Sequence, residues 1–462
     1  MARQKVIIAL FGLVMGAAGM LFWLSPRLQK DQLAAALPSA TRPLTIPFSR
    51  LLTTADPTPW VDISPTAQGH WQTAGPHLNF FPTVPLIYGQ TYTVTVKAGL
   101  PGVNGLPLLR TTAWTFQVDS PTLLYLRAEN DGRLNVWQQN LSGAALPRRL
   151  TDEPLTAWEY DAAAGWRSLL VVSEDEDGSL DLAGYDLDNG DRTIWLDCTA
   201  HCENARQQPW GKLVAYELRP QQGPSPQVWL LDPTSGETWS AQPSAAFADL
   251  GLPLTTGQFP RWSADGRYLA YFAAEAQVIV ILDATDLDTP ILLPATLDTL
   301  GQWSPVAPLL AYTEYARSIS QPHTHTLADG TVINHTGAEL YSHTIIANMV
   351  RQEAVDVVQG TEYNDGLATW LPTGELLAVP RSLAGEGAQI WLMAPDGTAD
   401  EAITALPLVN HSSLVWCPCG RTLAYQRSPI DGSAPSSIWL YDRERGTHQL
   451  VQEKAFAPGW LP

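Results

Sequence analysis

The chain has 462 residues, 45% of them hydrophobic and 16% charged, and a formal net charge of −19. That length accommodates two or three domains, and that apolar content removes disorder as the default state. The excess of acid excludes nucleic acid and an anionic membrane surface as electrostatic partners.

In chain order, the first feature is Val6–Leu24, an uncharged apolar run of nineteen residues behind Arg3 and Lys5. A run of this length can cross a bilayer. A signal peptide has a shorter apolar core with small residues close behind it. Here Ala34-Ala35-Ala36 and Pro38-Ser39-Ala40 lie well past the core. The expectation is an uncleaved anchor over residues 1–28, with a cleaved peptide as the alternative. Residues 29–43 are rich in Ala, Pro, Ser and Thr and read as a linker.

Residues 44–118 read as a small all-β domain. Strand candidates are Leu44–Phe48, Trp60–Ile63, Leu78–Phe81, Thr91–Val96 and Ala113–Val118, each bounded by turn residues.

From Pro121 the chain repeats itself. Arg261-Trp262-Ser263-Ala264-Asp265-Gly266 leads into Leu269-Ala270-Tyr271, a strand, an Asp-Gly turn expected as a two-residue hairpin, and an apolar strand. The block recurs as Trp303-Ser304-Pro305 to Leu310-Ala311-Tyr312, Trp370-Leu371-Pro372 to Leu377-Ala378-Val379, and Trp416-Cys417-Pro418 to Leu423-Ala424-Tyr425. A further copy, Leu213-Val214-Ala215-Tyr216, has Gln207 at the Trp position, and a blurred one runs from Trp158 to Val172. A second strand follows each clear block, as in Gln227–Asp232 and Ser437–Asp442, and then a polar turn. Four strands per unit of roughly 40–50 residues is the signature of a β-propeller blade. The first unit, from Pro121, lacks its inner Trp strand, and the chain ends in Trp460-Leu461-Pro462, a repeat of Trp370-Leu371-Pro372. Residues 454–462 are therefore expected to supply that strand. Seven blades are expected, at about 121–152, 153–203, 204–245, 254–297, 299–360, 361–406 and 407–452. Six is the alternative if the blurred unit is not a blade.

The blocks resemble the Trp-Ser-Pro-Asp-Gly-x-x-Leu-Ala-Tyr core of the TolB-type branch of WD40-like propellers. That resemblance covers residues 121–462 and implies a protein-binding or scaffold fold. In residues 44–118 the cues Phe48-Ser49, Ile63-Ser64-Pro65, Phe80-Phe81-Pro82, Gly89–Val94, Gly105-Leu106-Pro107 and Trp114-Thr115-Phe116 resemble the bacterial Ig-like domain found at the start of S-layer and other envelope proteins. It implies an extracytoplasmic spacer without catalytic residues. The whole is thus expected to be all-β behind a transmembrane helix, single-pass in the cell membrane, with its C-terminal bulk extracytoplasmic.

Few side chains suggest chemistry. Cys198 and Cys202 bracket a short loop and are candidates for a local disulfide outside the cytoplasm. A bridge across the single residue between Cys417 and Cys419 is disfavoured. A zinc site on Cys198, His201 and Cys202 lacks a fourth ligand. The insertion Ser318–His343 holds His323, His325, His335 and His343, four of the nine histidines, as weak metal candidates on a polar hairpin turning at Asp329-Gly330. The acidic run Glu174–Asp177 with Asp181, Asp186, Asp188 and Asp191 does not have EF-hand spacing and reads as solvated turns. There is no Gly-x-Ser-x-Gly elbow, His-Glu-x-x-His, phosphate loop or dinucleotide fingerprint. No cofactor is expected. The reading is a non-catalytic binding protein whose partner is an envelope or surface protein or a glycan. The alternative is a propeller hydrolase acting on glycan or peptide, which would require a carboxylate pair in the axial channel.

Overall fold

The computed structural model describes residues 24–29, 44–53, 56–82, 86–118, 120–141, 146–152, 156–174, 178–187, 189–198, 201–219, 225–241, 256–319, 322–327, 330–335, 337–358, 363–383, 385–398 and 400–461. Val6–Leu24, apart from Leu24, lies outside them, as do the candidate cleavage sites and most of the linker. The expected single-pass membrane placement is corrected. No helix among the described residues is long and apolar enough to cross a membrane, because these residues are spent almost wholly on strands.

The chain divides into two compact units, the first ending at Ser120 and the second beginning at Pro121. In the first, β1 (Leu44–Pro47), β2 (Val61–Ser64), β3 (Gly69–Ala74), β4 (His77–Pro82), β5 (Thr91–Val96) and β6 (Thr112–Gln117) form two three-stranded antiparallel sheets, ordered β1-β4-β3 and β2-β5-β6. Alternation buries Leu78 and Phe80 on one sheet and Tyr92, Val94 and Val96 on the other. Ile46, Val61, Leu78, Val94 and Val96 share one apolar cluster, so the two sheets face each other across it. The strand β3 is not among the sequence candidates. Its signal is the turn at Gly75-Pro76, where Gly75 has φ 59°.

The second unit is a succession of antiparallel meanders. They begin with β7 (Thr122–Ala128), β8 (Leu134–Asn140) and β9 (Arg148–Arg149). The next is β10 (Thr156–Asp161), β11 (Ser168–Glu174), β12 (Leu180–Asp186) and β13 (Arg192–Leu196). Then come β14 (His201–Gln207), β15 (Val214–Arg219), β16 (Gln227–Asp232) and β17 (Glu237–Ser240), and β18 (Gln258–Trp262), β19 (Tyr268–Ala273), β20 (Val278–Asp283) and β21 (Asp286–Pro294). The following sheet has β22 (Leu309–Ile319) paired with β25 (Ala338–Asn348), which in turn pairs with β26 (Glu353–Asp356), and between β22 and β25 in the chain stands the hairpin β23 (His323–Thr326) and β24 (Val332–His335). Next are β27 (Asn364–Asp365), β28 (Thr369–Trp370), β29 (Leu377–Ser382), β30 (Gln389–Met393) and β31 (Asp400–Ala402). The last are β32 (Val409–Trp416), β33 (Thr422–Pro429), β34 (Ser437–Asp442) and β35 (Thr447–Glu453). The final strand β36 (Ala455–Trp460) pairs with β7, so the first sheet reads β36-β7-β8-β9 and the chain end closes the ring. Sequential meanders closed end to start are the architecture of a β-propeller.

In four sheets the repeated Trp joins the sheet to the one before it. Trp262 Nε1 donates to Arg206 O at 3.2 Å, Trp303 to Arg261 O at 3.1 Å, Trp370 to Gln302 O at 3.0 Å and Trp460 to Val415 O at 3.1 Å. In each case the acceptor is the residue just before the Trp position of the preceding sheet. Trp416 is buried, and its indole nitrogen has no partner among the described residues. Gln207, in the Trp position of its sheet, donates to Ser168 O at 2.9 Å.

The Asp-Gly turn differs from the two-residue hairpin expected. Ser263 N donates to Tyr268 O and Gly266 N to Ser263 O, so the loop spans four residues, 264–267. Of the pair only Gly266 takes positive φ, at 71°. Asp265 instead uses its carboxylate to accept from Arg267 N at 3.0 Å. Gly374 and Gly420 hold the same place, each donating back three residues at 2.8 Å. Pro372 and Pro418 pre-set the turn's second position.

The closing strand generates a stability prediction. Trp460 is 6% exposed, and Leu461 N extends the ladder to Thr122 O. Trp460→Ala should cost about 3–5 kcal/mol, the range for truncating a buried aromatic, and deletion of Pro458–Pro462 should cost more. Chemical denaturation of the full chain checks both. An unchanged midpoint would contradict closure.

Candidate functional site

Four successive sheets of the second unit, those of β18, β22, β27 and β32, line a cavity of about 510 Å³. Arg261 contributes from β18, Gln302 from the segment before β22, Asn364 and Asp365 from β27, Pro380 and Ser382 from β29, and Asn410, His411 and Ser413 from β32. Leu300, Leu367 and Leu414 supply apolar wall. What brings these residues together is the repeat itself, which sets equivalent positions of successive sheets around one axis.

A bulge recurs three residues before the Trp position. Asn204, Phe259, Ser413 and Ala457 sit there with φ of 51°, 55°, 51° and 50°, and each of these strands shifts register at that point. A side chain at positive φ costs about 1–3 kcal/mol and persists only where the surroundings hold it. In three of the four a side chain of the preceding sheet accepts from the bulge N–H. Asn204 N donates to Glu159, Phe259 N to Glu217 Oε2 at 3.3 Å, and Ala457 N to Gln426 Oε1 at 3.2 Å.

Charges near the cavity are unevenly paired. Asp365 is spent: Oδ1 accepts from Arg381 Nε at 2.8 Å, and Oδ2 from Thr344 N and Oγ1 at 3.1 and 2.8 Å. Arg381 is fully buried, with its guanidinium 5.3 Å from the Tyr363 ring and 5.1 Å from the Trp391 ring. Arg206 pairs with Glu159 at 3.1 Å. Burial raises the pKa of Asp161, against Arg206 and the hydrogen bond from Gln207 N. Arg261 has no carboxylate within ion-pair distance among the described residues, and its guanidinium donates to its neighbour's carbonyl, Pro260 O, at 3.0 Å. Burial, with Arg206 nearby, pushes Arg261 down to about 9. His411 is buried, and its Nδ1 lies 2.8 Å from Ala388 O and must carry the proton there. Burial pushes it down to about 4, so the ring is neutral at pH 7.

None of these groups was singled out from the sequence. The residues that were lie elsewhere. His323 stands opposite His335 in the β23–β24 register, and His325 opposite Ile333. His343 lies in β25, buried, with Nδ1 2.9 Å from Asp356 Oδ2. It is therefore part of the sheet, and the insertion is shorter than expected. Among the described residues no three His, Cys, Asp or Glu side chains gather as a metal site. Cys198 and Cys202 are bonded at 2.03 Å, with Cα atoms 6.2 Å apart. Cys417 and Cys419, disfavoured as a pair from the sequence, are also joined, and Cys419 N donates to Cys417 Sγ at 3.1 Å. In the acidic run, Asp175–Asp177 and Asp188 lie outside the described residues, and Asp186 Oδ1 accepts from Asn189 N in a turn.

The Asp365–Arg381 pair, at the cavity wall, supports the second prediction. Removing one partner of a buried ion pair typically costs about 3–5 kcal/mol, and the other carboxylate on Arg381, Asp400 at 3.3 Å, is half exposed and compensates the buried charge only in part. Asp365→Ala should lower stability by about that amount, and Asp365→Asn by less, since the amide oxygen still accepts from Arg381. Equal stability of the Ala variant and the parent in denaturant titration would contradict this role.

No family model and no curated protein matches the chain. Among solved structures it is similar to TolB from Acinetobacter baumannii, at 9% identity over 82% of this chain and 80% of that one, with a TM-score of 0.43. It is similar to a prolyl endopeptidase at 12% identity over 72% of this chain and 49% of that one, with a TM-score of 0.49. A third is the periplasmic gluconolactonase of Pseudomonas aeruginosa, at 14% identity over 74% of this chain and 99% of that one, with a TM-score of 0.45. The chain spans about half the length, 49%, of that prolyl endopeptidase.

Proposed function

We propose that this is a binding protein. Its second unit is a seven-bladed propeller, each of the sheets opened by β7, β10, β14, β18, β22, β27 and β32 counting as one blade. It recognises its partner, an envelope or surface protein or a glycan, through the axial cavity and its rim, and the first unit serves as an Ig-like spacer. The observation that carries this reading is how the cavity's reactive groups are occupied. Its carboxylate, Asp365, is held by Arg381 and Thr344, and its imidazole, His411, is tied to Ala388 O. A hydrolytic propeller of the glycosidase kind would use two available carboxylates. What remains here is amides, hydroxyls and Arg261, groups that hold a ligand. Leu367, in the cavity lining, adds apolar surface and is 46% exposed.

The test is to incubate the full chain with glycan, peptide and ester panels and follow product release. No turnover is expected. Turnover that Asp365→Asn or His411→Gln abolishes would replace the reading with the hydrolase. In parallel, removal of residues 322–335, the β23–β24 hairpin, should leave the melting curve unchanged, because neither strand pairs with the main sheets.

A further inference from the structure

We propose that the axial cavity binds the carboxylate of a small organic acid, which completes a hydrogen-bonding and charge pattern that the repeat fulfils internally in other blades. The proposal rests on the binding reading above and names its ligand class.

The repeat register makes the pattern visible. The residue after the block's terminal Tyr or Val is Glu217 after Tyr216, Gln426 after Tyr425, and Pro380 after Val379. Glu217 and Gln426 each reach the next sheet and accept from its bulge N–H, on Phe259 and Ala457. Pro380 has no acceptor on its side chain. The bulge it should serve is Ser413, which shares the positive φ of the other three, at 51°. Among the described residues no side chain accepts from Ser413 N. Pro380 and Ser413 both line the cavity, and Ser413 is exposed. The position that Gln426 Oε1 occupies on Ala457 is therefore open to a ligand oxygen at Ser413.

Charge follows the same logic. Arg206 and Arg261 both stand one residue before the Trp position of neighbouring sheets. Arg206 is neutralised by Glu159, which lies two residues before the equivalent position of the sheet preceding it. The residue that would do this for Arg261, two places before Arg206, is Asn204, an uncharged amide whose Nδ2 is spent on Glu217 Oε2 at 2.9 Å. Among the described residues Arg261 thus has no ion pair of its own, only the through-space attraction of Glu159 and Asp161, and Ser413 N is a backbone donor without its side-chain cap. A carboxylate supplies both an anion and an acceptor. The amides of Asn364 and Asn410 with the walls of Leu300 and Leu414 suit an acid whose remainder is small and mixed in polarity.

Calorimetric titration of the full chain tests this with N-acetyl-alanyl-alanine and glucuronic acid as probes, each against its neutral form, the C-terminal amide and the methyl ester. At least one acid should bind saturably, and its neutral form about tenfold or more weaker, the scale of one lost charged contact. Arg261→Gln should weaken the acid by a similar factor. Pro380→Gln is the decisive variant. It installs the internal cap of the Gln426 blade and should displace the acid, whereas Pro380→Ala leaves the position open and should keep parental affinity. Melting curves identify any variant that fails to fold, and Pro380→Ala reports on loss of the proline alone. Equal binding of acid and neutral form would overturn the carboxylate assignment while leaving the binding reading intact. So would Pro380→Gln binding at parental affinity, or no binding of either acid. Conversion of a bound acid to product would overturn the binding reading and leave the carboxylate site standing.

Discussion

The second unit depends on one contact repeated around the ring, an indole N–H donating to the inner-strand carbonyl of the sheet before it. Each sheet buries an apolar face against its neighbour, and dispersion and area burial supply most of the cohesion. Burial alone would let neighbouring sheets slide. The Trp262, Trp303, Trp370 and Trp460 bonds land on the same register position each time, so they fix the phase as well as the distance. A buried donor or acceptor left unmade costs about 1–3 kcal/mol, which penalises any slip. The same register that sets the indole also sets the residue before it, which is how Arg206 and Arg261 come to neighbour each other.

Function follows from departures from that regularity. Where the repeat is complete, as at Phe259 and Ala457, the bulge amide is satisfied by a side chain of the preceding sheet. Where it is broken, by Pro380 and by Asn204, Ser413 N and Arg261 at the cavity lack the side-chain partners their equivalents have. Trp416 breaks it in another way, since its indole nitrogen is buried without a partner, on the strand that carries Ser413.

Much of the second unit was legible in the sequence because the strands are short, the apolar positions are strong and the Trp spacing is constant. The closing strand was legible because Trp460-Leu461-Pro462 repeats an internal signal. The turn chemistry was misread at Asp265-Gly266, where an Asp side chain acting as an acceptor displaced the need for positive φ at that residue. The strand β3 was missed because His70, Trp71 and Gln72 carry no clear alternation. The candidate site was not legible at all. Arg261, Pro380 and Ser413 are unremarkable residues whose meaning lies in what their equivalents do in other sheets, and that appears only once registers are known. The histidines drew attention by density along the chain, yet His343 is held in a sheet by Asp356.

The most direct test of the clasp is a Trp→Phe scan of the full chain at positions 262, 303, 370, 416 and 460, read as unfolding free energy in denaturant. Phe keeps an aromatic ring and removes the indole donor. If the indole-to-carbonyl bond is what locks the sheets, Phe at 262, 303, 370 and 460 costs about 1–3 kcal/mol more than Phe at 416, where no bond is lost. An equal cost at all five positions would reduce the tryptophans to bulk and contradict the account.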